Sequence, residues 1–339
     1  MNSDTNQQQP KHSSTGNFVV LAIVSLLFIV VLWQRVLIGD TIRATLYQPS
    51  ADIAAIDTAV GFTSQGTRIF YASSPELNGT STFNSECENT EKTSVVLGCY
   101  QSGRIYVYQV DNAELDGIEE VTAAHEVLHA AYDRLSTSER ERIDVLLEAE
   151  AKKLLQDDAF KERMSVYSKL ADADRINELH SVIGTEVASI STELEVYYGR
   201  YFADRDAVLA LYDNYHSVFV DTQEAAIALG KSLDAQALSI NARVIAYNQA
   251  AKELDAAISL FNSRARGSYF TSQEEFAAAR ADLVAQSDAL EAERVSINNA
   301  ILAYEADKAK FDSMSSHLTE LQNSIDSSLA PAPTITESQ

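Results

Sequence analysis

His125-Glu126-Val127-Leu128-His129 puts two imidazoles and a carboxylate within five positions. On a helix, residues four apart share a face, so His125 and His129 can each offer a ring nitrogen to one metal ion. Glu126, one residue on from His125, points to the side, where it can reach a water bound to that metal. Zinc suits such a set: it lowers the pKa of its water towards neutrality, and a carboxylate completes the deprotonation. A scrambled order would lose that arrangement. A hydrolytic zinc site takes a third protein ligand and leaves the fourth position for water.

Candidates for the third ligand lie about fifty residues further on, in Ile176–Glu186, which carries Glu178, His180 and Glu186. On one helix, Glu178 and Glu186 lie ~80° apart and can both face the metal side, whereas His180 points well away from Glu178. Tyr197, Tyr198, Arg200 and Tyr201 follow. They can donate to a developing oxyanion or simply pack one part of the chain on another, and both readings stay open here.

The elements that must hold these residues follow from local pattern. Ser50-Ala51-Asp52 can cap a short helix through Ile53, Ile56 and Val60. Strands are expected at Arg68–Ala72, Ser94–Tyr100 and Arg104–Val110, the last two β-branched and aromatic around a Gln101-Ser102-Gly103 turn. They predict a small antiparallel sheet. After Asp116-Gly117 the period turns helical. Glu119–Leu135 carries Val121, Ala124, Val127, Leu128 and Ala131 on one face. Ser136-Thr137-Ser138-Glu139 has the capping-box pattern for a second helix reaching about Leu155. A third is expected over 171–191.

A strand pair followed by an HExxH helix resembles the zincin metallopeptidases. Asn177, Glu178 and Ser181 resemble the Asn-Glu-x-x-Ser-Asp helix of the thermolysin-like gluzincins, with Val182 standing where that family has an aspartate. The resemblance covers these two short motifs. It implies a zinc metallopeptidase with a protein or peptide substrate, metal ligands His125, His129 and Glu178, Zn2+ as cofactor and Glu126 as general base.

The rest of the 339 residues bounds that reading. A net charge of −23 excludes a nucleic-acid partner, which selects basic surfaces. Residues 18–33 are almost continuously apolar, with no small-residue cleavage site after Trp33. They predict an uncleaved single transmembrane anchor over 18–38. Cys87 and Cys99 can close a disulfide, which persists outside the cytosol. Together these predict a single-pass membrane protein with the bulk of the chain extracytoplasmic.

From Tyr212, apolar residues recur every seventh position to Phe261, and again from Phe276 to Ile325. A sustained heptad implies supercoiled helices. Two arms around Arg264–Ser268, ~75 Å each, imply an antiparallel coiled-coil hairpin in which Phe261 meets Phe276. The expected fold is therefore α+β: a small antiparallel sheet plus a helical zincin-like domain over 41–202, the transmembrane helix, and the coiled-coil hairpin over 203–329. Polar tails at 1–17 and 330–339 complete the chain. Without the metal chemistry, the same sequence reads as a non-catalytic cell-envelope scaffold, with an envelope protein partner on the coiled coil.

Overall fold

The computed structural model describes residues 34–87, 96–165, 167 and 170–328. The chain is mostly helical with one small mixed sheet, an α+β fold. The described residues form two compact units: those up to 215 together with those from 324 on, and those from 216 to 323.

In the first unit, α1 (Arg35–Leu46), α2 (Ala51–Val60) and α3 (Ser64–Ala72) come first. The Ser50 hydroxyl accepts from the Ile53 N–H and starts α2, with Ile53, Ile56 and Val60 buried along one side. The same capping by Thr63, accepting from the Gly66 N–H, starts α3. Residues 68–72 are therefore helical, not the expected strand. Their β-branched and aromatic character gives way to packing: a helix buries Ile69 and Phe70 together, and Gly66 lets the Tyr201 carbonyl approach where a Cβ would clash.

The sheet is mixed, in the order β1-β3-β2, and this corrects the antiparallel expectation. β2 (Gly98–Gln101) and β3 (Arg104–Tyr108) form the expected hairpin, with Ser102 and Gly103 both at positive φ as a tight two-residue turn requires. β1 (Glu76–Asn78) runs parallel to β3 on its other side. Between β1 and β2, α4 (Thr80–Glu86) leads to Cys87, which is disulfide-bonded to Cys99 on β2.

The long central helix α5 (Ile118–Asp133) follows Gly117, at φ 99°, where the Leu211 carbonyl approaches too closely for a side chain. α6 (Thr137–Leu154) is capped by Ser136, whose hydroxyl accepts from the Glu139 N–H and donates to its carboxylate. α7 (Asp158–Ser165), α8 (Asp172–Glu186) and α9 (Thr192–Tyr198) complete this part. The core gathers Val127, Leu128, Leu179, Ile183, Tyr198 and Phe202 between α5, α8 and α9.

The expectation of a single-pass membrane protein is corrected. Among the described residues no helix is long and apolar enough to cross a membrane. Residues 18–33 of the expected anchor lie outside the described residues. Of its last five residues, Gln34 precedes α1 and 35–38 open it, in a helix that carries Arg35, Asp40 and Arg43. α1 docks by its charged side. Asp40 is 3 % exposed and accepts from Arg134 Nε (2.8 Å) and Nη2 (3.2 Å) at the end of α5, and from Arg43 (2.7 Å).

The second unit consists of most of α10 (Arg205–Arg266) and most of α11 (Gln273–Ile325). The Phe261 ring lies 5.2 Å from that of Phe276, Arg243 donates to Glu293 at 2.8 Å, and Gln236 donates to Asp307 at 3.0 Å. Partners that move apart along the chain in this way set the two helices side by side and antiparallel. Ser272 caps α11 by accepting from the Glu275 N–H.

Candidate metal centre

α5 and α8 build the site between them. The buried side of α5 presents Val127, Leu128 and Ala131, and that of α8 presents Leu179, Val182 and Ile183. Gly184 is the point of closest approach: a Cβ there would run into the Leu128 side chain and come within 2.7 Å of the Tyr198 ring. With the apolar sides fixed, the flanking positions of the two helices face each other. His125 and His129 on α5 then meet Glu178 on α8.

The His125 and His129 Nε2 atoms lie 3.0 Å apart, and Glu178 places Oε2 3.6 Å from His125 Nε2 and Oε1 3.5 Å from His129 Nε2. All the candidate ligand atoms fall within 4.8 Å of one another. Ligands ~2.0–2.1 Å from a tetrahedral zinc sit roughly 3.3 Å apart, so the donor set fits such an ion. The three side chains keep 16, 11 and 22 % of their surface exposed, which leaves one side of the cluster open.

Charge and burial oppose each other here. Burial works against a protonated His125, but contact with Glu178 and the negative charge of Glu126 outweigh it and raise its pKa. His129 is pushed down to about 4 by burial and by the neighbouring His125. Glu178 is buried too, yet the His125 contact and the charges of both histidines hold its carboxyl low. For Glu126, burial dominates and lifts the carboxyl to about 8, against the pull of His125 and of the Tyr100 N–H. Glu126 is 5 % exposed and is held against β2: a Cβ on Gly98 would meet its Oε1 at 2.8 Å.

The rival third ligands are engaged elsewhere. His180 is fully buried, with its Nε2 2.8 Å from the Tyr197 hydroxyl and its Nδ1 lacking a hydrogen-bond partner among the described residues. Glu186 pairs with Arg163 of α7 at 2.6 Å. Val182 is 1 % exposed in the apolar core, so an aspartate there would be buried among hydrocarbon. The Asn177 side chain, beside Glu178, acts to raise the His129 pKa, the smallest of the influences on that ring.

The aromatic join after α8 is core. Tyr197, Tyr198 and Tyr201 are each at most 2 % exposed. The Tyr198 hydroxyl donates to the His180 carbonyl, and Tyr201 donates to Tyr197. Arg200 lies over the Tyr197 and Tyr201 rings and pairs with Glu139. Their hydroxyls are thus committed to His180 and to one another. One residue that pattern reading passed over matters for the site: Gly98, which has no side chain to signal its role.

The chain matches no protein-family model, no curated protein and no solved structure.

Proposed function

We propose that this chain is a zinc metallopeptidase that hydrolyses peptide bonds in protein or peptide substrates, with zinc held by His125, His129 and Glu178. One observation carries the reading: Nε2, Nε2 and carboxylate separations of 3.0, 3.5 and 3.6 Å are those of ligands around one small tetrahedral ion. Bound there, zinc supplies a water activated near neutral pH and a Lewis acid for the substrate carbonyl. The chain's own residues do the rest. Glu126 sits beside the ligands on the same helix, buried against β2, where its carboxyl can serve as general base and as proton shuttle to a leaving amine. Gly98 and the Tyr100 N–H on β2 fix where that carboxylate stands. The open side of the cluster is where substrate reaches it.

Glu126→Gln is expected to abolish peptide hydrolysis while one zinc per chain stays bound, and His129→Ala is expected to lose the zinc. A folded chain that takes up no zinc sinks the reading, and retained hydrolysis in Glu126→Gln sinks the role of Glu126.

We further propose that α10 and α11 wind around each other as a coiled coil. Leu233, Leu254 and Ile297, all at seventh-residue positions, are each under 10 % exposed, and the Phe261–Phe276 contact supports the register.

A further inference from the structure

Arg134 stands at the C-terminal end of α5, and every N–H of its guanidinium has an acceptor. Nε donates to Asp40 Oδ2 at 2.8 Å, and Nη2 to Asp40 Oδ1 at 3.2 Å and to the Ser73 hydroxyl at 3.4 Å. Nη1 donates to the Ala130 carbonyl at 2.7 Å and to the Tyr100 hydroxyl at 3.1 Å. A guanidinium carries its N–H groups in a rigid planar fork, so using all of them fixes its orientation. The Ala130 bond ties the fork to the last turn of α5 itself. Asp40 and Ser73 take the edge towards α1 and the end of α3, and Tyr100 of β2 takes what is left.

Tyr100 connects this fork to the candidate metal centre. Side chains alternate along a strand, so Gly98 and Tyr100 face the same way. At Gly98 that face lies on Thr122 and Glu126, where a Cβ would stand 2.8 Å from Glu126 Oε1. Two residues on, the Tyr100 hydroxyl reaches Arg134 and, at 3.5 Å, the Asp133 carboxylate. β2 therefore runs along α5. It touches the helix at Glu126 and again at Arg134, about 12 Å further along the axis. The strand advances about 7 Å between Gly98 and Tyr100, and the side chains span the rest.

β2 needs such a hold. It is a strand of 4 residues at the edge of the sheet, paired with β3 on one side. Its disulfide leaves from Cys99, whose side chain alternates to the face away from Glu126, so it ties β2 to Cys87 and not to α5. We propose that the Tyr100 phenol, held in the Arg134 fork, sets where β2 lies along α5 and so where Gly98 meets Glu126. Tyr100 and Arg134 are then positioning residues for Glu126. The effect on rate rests on the metallopeptidase reading; the clamp itself involves only this chain's own side chains and can be measured without metal.

Hydrogen exchange of the β2 amides, zinc titration and steady-state peptide hydrolysis on the full chain test this. Tyr100→Phe keeps the ring and removes the hydroxyl. Arg134→Lys keeps the charge beside Asp40, but a lone ammonium has no planar fork and cannot serve Asp40, Ala130 and Tyr100 together. Each variant is expected to exchange the β2 amides about tenfold faster and to lose about tenfold in kcat at unchanged KM. Zinc binding should stay as in the wild type. The double variant should be no worse than either single one, because both open the same contact. Tyr71→Phe removes a phenol bonded to Asp57 at 2.8 Å elsewhere in the same unit and serves as the control, with β2 exchange and kcat unchanged. Unchanged β2 exchange in both variants overturns the proposal. So do effects that add in the double variant, or that appear equally in Tyr71→Phe. A wild-type chain that binds no zinc or cleaves no peptide removes the metallopeptidase reading, and the exchange measurements then decide the clamp by themselves. In a wild type that does cleave, faster β2 exchange with unchanged kcat overturns the positioning of Glu126.

Discussion

Gly98→Ala separates the position of Glu126 from the presence of metal. An added Cβ would stand 2.6 Å from the Thr122 methyl, 2.8 Å from Glu126 Oε1 and 2.9 Å from Glu126 Cγ. Carbon contacts settle near 3.5–4.0 Å, so β2 or the Glu126 side chain has to give by about 1 Å. Thr122 is tied to α5 by its hydroxyl bond to the Ile118 carbonyl and cannot swing clear. Overpacking of this kind costs about 1–3 kcal/mol of stability. A displacement of ~1 Å in a proton-transfer group costs on the order of a hundredfold in rate. The expected result is a chain that binds zinc as the wild type does, unfolds at modestly lower urea and hydrolyses peptide about a hundredfold more slowly. Adding Thr122→Ser removes the nearest methyl while keeping the hydroxyl bond, and should recover part of the rate. Zinc titration, urea unfolding and a peptide-cleavage assay on the four chains of the cycle decide it. Activity within twofold of wild type in Gly98→Ala, or loss of zinc, would refute the claim that β2 sets the place of Glu126.

Two further outcomes follow from the same geometry. Asp40→Ala leaves Arg134, 12 % exposed, without its carboxylate partner, and is expected to cost about 3–5 kcal/mol; a urea midpoint within error of wild type would mean that α1 is not anchored by this pair. Chelation is expected to lower unfolding free energy by ~4 kcal/mol relative to zinc at a thousandfold over its dissociation constant. His129→Ala should show no such metal dependence, and a wild-type melting temperature indifferent to chelator would argue against a bound ion.

The cluster of His125, His129 and Glu178 was legible because each signal is local. Four-residue spacing on a helix sets His125 over His129 whatever surrounds them, and Glu178 needs only that a second helix turn the same side inward. The fate of His180 and Glu186 was not legible, because it depends on partners 17 and 23 positions away, Tyr197 and Arg163. Strand β1 carries no periodic signal: it is Glu-Leu-Asn, and exists because β3 offers a free edge. Residues 68–72 have the side chains of a strand, yet the Thr63 cap and the Gly66 contact make them a helix. In α1 the pattern misleads in another way. Its apolar Ile42 and Leu46 stay 54 and 75 % exposed while Asp40 is buried, because an ion pair with Arg134 decides which side docks.

The first unit is completed from far along the chain. Asn112 donates to the Ser324 hydroxyl, Asn84 to the Ser327 carbonyl, and the Ser327 hydroxyl to the Val96 carbonyl beside the disulfide-bonded strand. His125, His129 and Glu178 have all been made by residue 178, but these partners arrive only after α10 and nearly all of α11. During synthesis the helices that carry His125, His129 and Glu178 can pair early, while the disulfide-bearing corner next to β2 waits for more than a hundred further residues. The two long helices thus act as a delay in the assembly order, and the strand beside Glu126 receives these tethers well after its own segment has emerged.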